Sequence, residues 1–188
     1  MAFLNKQEKN FLIKLAVQAI KDRFEEKSVC PPPEKVAFAS FKTKGASFVT
    51  IYVQEKLRGC IGHVRAIQPL YQDIYDNAQA AAFEDPRFPS LTEGELSQLK
   101  LEISLLSAPK EISAKTPEEK LAQIKPHVHG VILRAQGRSA TFLPQVWQQL
   151  PDKTQFLAQL SHKAWLPPDA WKQANAKLLI YTVESFTS

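Results

Sequence analysis

The stretch Leu57-Arg58-Gly59-Cys60-Ile61-Gly62 holds the residue types best suited to chemistry in this chain. Read as a strand, residues two apart share a face at a spacing of about 6.6 Å. Arg58, Cys60 and Gly62 then face one way, and Leu57, Gly59 and Ile61 the other. A guanidinium beside a thiol favours the thiolate, so Cys60 is the candidate nucleophile or thiol carrier. Gly62 has no side chain and would let a ligand approach the backbone. The same parity turns His63 away from Cys60 unless Gly62 forms a bulge. A plainer reading competes and, on residue physics alone, is the stronger: Cys60 is a small buried residue, and the glycines let elements pack closely.

Other residues could serve such a site. In Asp85-Pro86-Arg87-Phe88-Pro89 the prolines restrict the backbone and pin Arg87, which suits bidentate capture of a carboxylate or phosphate. The plain alternative is a salt bridge from Arg87 to Glu84 or Asp85. Glu102, among apolar strand residues, faces solvent or pairs with a buried arginine, and Arg58 is a candidate partner. His127 and His129 share a face if the chain there is extended. With no third ligand near in sequence, a surface position suits them better than a metal.

Composition narrows the classes. The chain has 188 residues, 44% hydrophobic and 23% charged, which fits a globular domain with an ample core. Two cysteines cannot supply the three ligands of a radical-SAM cluster or the four of an all-cysteine zinc site. There is no phosphate-cradling glycine loop or dinucleotide fingerprint, and neither metal nor cofactor is expected. The net charge of +5 comes mostly from 18 scattered lysines, which reads as a solvated surface. Nucleic-acid binding therefore ranks last, and the Gly59-to-Gly62 spacing lacks the basic residues of a KH glycine loop. The apolar run Phe11–Ile20 is broken by Lys14 and Gln18, so no membrane span is expected. Without a signal-peptide pattern ahead of the first helix, the expected location is the cytoplasm.

The elements that must position these residues follow from periodicity. Asn5 with Glu8 makes a capping box, with Phe3 and Leu4 as a staple, and Leu12, Leu15, Ala16, Ala19 and Ile20 repeat at helical spacing to about Phe24. Pro31-Pro32-Pro33 forms an extended connector. Period two then takes over. Val36, Phe38 and Ser40 alternate, a turn at Lys44-Gly45 precedes a strand over Phe48–Val53, and a further strand covers Leu57–Val64. Pro69 opens a helix that ends before Asp85-Pro86, and Thr92 with Glu95 caps a short third one. Leu101, Ile103 and Leu105 form a strand. A helix starts at Thr116 and stops at Pro126, a hairpin turns at Gln136-Gly137, and Asp152 caps a helix ended by Pro167-Pro168. A last strand covers Leu178–Val183. Hairpin-connected strands among helices read as α+β, a mostly antiparallel sheet with flanking helices.

Several of these blocks together resemble one family. Leu57 to Gly62, Asn77 with Ala80-Ala81-Ala82, Asp85 to Pro89 with Leu91, Glu102-Ile103-Ser104, His129-Gly130, Leu143-Pro144-Gln145-Val146, and Lys163-Ala164 leading to Leu166-Pro167-Pro168 look like the AMMECR domain family. Its microbial members are called AmmeMemoRadiSam system protein A. The resemblance implies one compact α+β domain of two unequal lobes, here 1–62 with 127–188, and 63–126, with the signature residues near a groove between them. It also implies partners, a Memo-like protein and a radical-SAM enzyme, but no established reaction. It raises Cys60 and His129 as catalytic candidates, and Arg58, Gly59, Gly62, Arg87, Glu102, Gln145 and Lys163 as residues for a small anionic ligand. Two departures stand out. Ser161 replaces a cysteine found in many microbial relatives, which weakens any dithiol mechanism, and Trp165 replaces a glycine.

Overall fold

The structure is a computed structural model and describes residues 4–27 and 29–188. Phe3, proposed as part of a staple, lies outside the described residues. The chain divides into two units, one running to Leu106 and including Glu184–Ser188, the other Ser107–Val183. This boundary differs from the lobes expected from the resemblance. Those lobes part the strand around Cys60 from the helix that follows Pro69, and the two belong to one unit.

In the first unit, helix α1 (Lys6–Phe24) begins with the expected capping box, Asn5 accepting from the backbone of Gln7 and Glu8 while Glu8 accepts from that of Asn5. Its apolar stripe of Leu12, Leu15, Ala16, Ala19 and Ile20 is buried. Residues Val36–Ser40, expected to alternate as a strand, instead lie along two 3-10 turns at Pro33–Lys35 and Ala39–Lys42. Tight packing of Phe38 and Phe41 against Phe11 of α1 overrides their period-two pattern. Strand β1 (Lys44–Val53) begins where a turn was expected. Strand β2 (Lys56–Gly62), the short β3 (Gln68–Pro69), β4 (Leu99–Leu106) and β9 (Val183–Thr187) complete this sheet, in the order β2-β1-β4-β9, with β3 also pairing with β1. Helix α2 (Leu70–Phe83) lies with α1 over one face, where Val49, Ile51, Leu101, Ile103 and Leu105 are buried. The Tyr75 hydroxyl donates to Asp22 at 2.7 Å and ties α2 to α1.

The second unit carries a four-stranded sheet in the order β5-β8-β6-β7. Its strands are β5 (Lys110–Glu111), β6 (Gly130–Ala135), β7 (Arg138–Phe142) and β8 (Lys177–Tyr181). The β6–β7 hairpin turns at Gln136 and Gly137, both with positive φ, as a primed two-residue turn requires. Helices α3 (Pro117–Gln123) and α4 (Lys153–Lys163) start at the expected Thr116 and Asp152 caps. Trp147 and Phe156 stack at 3.6 Å in the core. The single last strand expected over Leu178–Val183 is two strands, because β8 pairs with β6 while β9 joins the other sheet. A buried lysine, Lys120, donates to the carbonyls of Trp171, Gln173 and Ala176, which use all three of its protons.

Two glycines are fixed by close approach. A Cβ on Gly59 would run into the backbone carbonyl of Ala81 in α2, and one on Gly62 into the Phe48 ring and the Ser47 carbonyl. Helix backbone cannot yield as a flexible side chain does, so Gly59→Ala must push α2 off the sheet. We expect a loss of about 2–4 kcal/mol, measured by urea unfolding, with Gly94→Ala as control because nothing lies near that position.

Candidate functional site

Strand β2 is an edge strand, so one side of its backbone lacks a neighbouring strand. Two side chains from the loop after α2 fill that role at Cys60. The Cys60 amide donates to Asp85 Oδ2 at 2.9 Å, and its carbonyl accepts from Arg87 Nη2 at 3.2 Å. Arg87 in turn grips Asp85 through two bonds, Nε to Oδ1 at 2.9 Å and Nη2 to Oδ2 at 2.6 Å. The buried Asp85 carboxyl is held far below the usual carboxylate range, chiefly by the Arg87 bonds and then by the backbone amides of Cys60 and Arg87, against the opposing effect of burial. The plain reading of Arg87, an ion pair with Asp85, is what the structure contains.

Arg58 is spent in a similar way, and not on the residues expected. The β1–β2 register shifts between Ile51 and Tyr52, which face Gly59 and Leu57, so Arg58 is the extra residue of a bulge. Its Nε donates to Glu95 at 2.8 Å, and its two terminal nitrogens donate to the carbonyls of Pro89 and Ser90. Glu102 is therefore not its partner, and the bulge breaks the simple parity argument linking Arg58 to Cys60. Glu95 also accepts from the Thr92 amide and hydroxyl, both at 2.8 Å. Its pKa falls to about 2, with the Arg58 hydrogen bond the largest cause.

On the sheet face away from the helices, Cys60, Thr50 and Glu102 stand in one row across β2, β1 and β4. The Thr50 hydroxyl donates to Cys60 Sγ at 3.2 Å. Cys60 and Glu102 are half-buried, as is Tyr52, whose hydroxyl is pushed up in pKa by burial and then by Glu102 and Cys60. The backbone bonds of Cys60 point outward to Asp85 and Arg87, so Cys60 and Thr50 form the closer, non-hydrogen-bonded type of antiparallel pair, bringing their side chains together. The other cysteine, Cys30, has a thiol pushed up to about 11 by burial, which disfavours its thiolate at neutral pH.

A second polar cluster escaped the sequence. Asp73 of α2 is wholly buried and accepts from the Ser47 amide, the Ser47 hydroxyl, the Asn77 amide group and, at 3.0 Å, His63 Nδ1. Serine, histidine and aspartate meet here, but the serine bonds the aspartate and is itself buried, so it is no nucleophile. The cluster locks the end of β2 to β1 and α2.

The remaining candidates lie in the second unit. The His129 Nδ1 accepts from the Lys125 amide at 3.1 Å, its carbonyl accepts from the Trp147 indole, and burial lowers the pKa of its ring. His127 sits before β6 with φ 62°, so the extended stretch that would place both histidines on one face does not form. Gln145 is exposed on the 3-10 turn Pro144–Gln148. Lys163 Nζ donates to the Thr141 carbonyl at 3.0 Å and lies over the Phe142 ring. Gly130 faces the Tyr181 ring much as Gly62 faces Phe48. Among the described residues no group of three or more His, Cys, Asp and Glu could hold a metal ion, and no helix is long and apolar enough to cross a membrane.

The family model AMMECR1 matches residues 13–186. The chain belongs to the AMMECR1 family. Among AMMECR1-like relatives, Protein MK0488 of Methanopyrus kandleri is 35% identical over 97% of this chain and 89% of its own length. Protein TK0174 of Thermococcus kodakarensis is 36% identical over 94% of this chain and 88% of its own. The solved structure of the uncharacterised protein PH0010 from Pyrococcus horikoshii is similar with a TM-score of 0.81 and 34% identity, covering 95% of this chain and 90% of that one.

Glu95 gives the clamp on β2 a pH signature. Its folded pKa of about 2 lies below its ordinary value of 4.5. The stabilisation is therefore complete above about 4.5 and disappears as pH falls toward 2. Glu95→Gln should lose on the order of 2 kcal/mol at neutral pH. The gap to the wild-type chain should close across that acid window in urea unfolding at stepped pH.

Proposed function

We propose that this chain is an accessory protein that acts by binding. The observation that carries this reading is how both arginines of the signature region are used. Arg87 is committed to Asp85 and the Cys60 carbonyl, and Arg58 to Glu95 and two backbone carbonyls. Arg58 is 16% exposed with all three of its nitrogens bonded, Arg87 spends Nε and Nη2 while its outer edge stays exposed, and both serve to clamp a loop onto β2. What that clamp holds still is the row of Cys60, Thr50 and Glu102 with Tyr52 on the same face, a mixed polar and aromatic surface, half-buried except at the buried Thr50, of the kind that recognises a partner. The family resemblance supplies the partner classes, a Memo-like protein and a radical-SAM enzyme.

A second reading keeps Cys60 as a nucleophile or thiol carrier on a small anionic substrate. The Thr50 hydroxyl that donates to its sulfur at 3.2 Å favours it, because the bond holds the sulfur in a fixed, half-buried position. The two readings separate on one variant. Cys60→Ser is expected to fold with an unchanged melting temperature and to bind the purified Memo-like protein as the wild-type chain does, within about twofold by calorimetry. A well-folded Cys60→Ser chain that loses binding overturns the accessory reading. Rapid alkylation of Cys60 at neutral pH, beyond the rate of a free thiol, would move the case to the second.

A further inference from the structure

Trp165 breaks two rules at once. Of the three tryptophans, Trp147 and Trp171 are 0% and 1% exposed, while Trp165 is 83% exposed. It also occupies the position after the end of α4 where the backbone turns left-handed, at φ 59°. The Trp165 amide donates to the His162 carbonyl and the Leu166 amide to the Ser161 carbonyl, the paired bonds of a glycine-type helix terminus. Glycine fits that backbone without strain and a bulky side chain does not. The indole thus sits on a strained residue and buries little of its own surface in return. Stability within the folded chain does not explain it.

Its surroundings are cationic. Arg138, at the start of edge strand β7, donates to the Trp165 carbonyl at 2.6 Å. Lys163, two residues before the indole, is held by the Thr141 carbonyl, and His162 is exposed beside it. Asp169 is an exposed acid in the turn that follows. Both Arg138 and Lys163 are exposed and fixed by neutral carbonyls, and neither forms a salt bridge among the described residues. An exposed tryptophan flanked by fixed cations has the composition of a binding hot spot for an oppositely charged partner.

We propose that Trp165, with Arg138 and Lys163, is a docking point for an acidic, apolar-containing segment of a partner protein. The indole packs on the apolar residues of the segment and the two cations meet its carboxylates. A protein segment fits better than a nucleic acid strand, which needs several stacking platforms along a cationic track, and +5 of net charge on each molecule opposes self-pairing. The surface belongs to the second unit and stands independently of what the Cys60 face does.

The test uses the full chain and a fluorescein-labelled peptide of alternating glutamate and leucine, with an alternating lysine–leucine peptide as control. Trp165 is its own reporter, because the other two indoles are buried. Binding of the acidic peptide should be saturable, weakened by salt and accompanied by protection of Trp165 emission from iodide. Trp165→Gly should bind at least roughly tenfold more weakly while its melting temperature stays level or rises, which separates lost binding from lost folding. Arg138→Ala should weaken binding and flatten its salt dependence. Equal binding by Trp165→Gly, equal binding of the lysine peptide, tighter binding of oligo-dT than of the acidic peptide, or a dimer that disappears in Trp165→Gly would each overturn the proposal.

Discussion

The carboxylate of Asp85 accepts from the Cys60 amide, the Arg87 amide and the Arg87 guanidinium, and strand β2 depends on it. An edge strand with free amides is mobile and prone to pair with other chains. Here one aspartate and one arginine imitate a neighbouring strand for a single residue, the aspartate accepting and the arginine donating. Arg58 fastens the same loop further along through Glu95, Pro89 and Ser90. The Cys60 face depends on that clamp, since it holds the backbone that places the thiol beside Thr50. The Leu57–Gly62 stretch therefore reads as one structural device, with the cysteine at its centre and the charged residues as fasteners.

Most helices and strands were legible because their signals are local. The Asn5, Thr116 and Asp152 caps, the Gln136-Gly137 turn and the alternation of Leu101, Ile103 and Leu105 all work over a few residues. Where the reading failed, a distant contact decided. Val36–Ser40 alternates in sequence but packs Phe38 onto α1, and the last stretch splits because β8 and β9 serve different sheets.

The site was legible in its residues and much less in their roles. Cys60 and Arg87 stood out by type and spacing, but a bulge at Arg58 broke the parity that joined it to Cys60. Glu95 was hidden by its own clarity: as the third residue of a capping box it already had a complete local explanation, and a second duty to Arg58 leaves no mark in sequence. Asp73 was hidden on an amphipathic helix, where an aspartate reads as solvent-facing until Ser47 of β1 and His63 after β2 converge on it. The glycines show the reverse case. Gly59 and Gly62 suggested space for a ligand, and the space is taken by α2 and by Phe48.

The left-handed terminus of α4 has a genetic consequence. Tryptophan has a single codon, UGG, and one nucleotide change converts it to GGG, a glycine codon. The residue that would relax the backbone at Trp165 is therefore always one point mutation away. Relief of strain alone would favour that change, so selection for stability and the docking role proposed for the indole pull this one codon in opposite directions. Laboratory evolution for heat resistance alone, with no demand for binding, should find the glycine early.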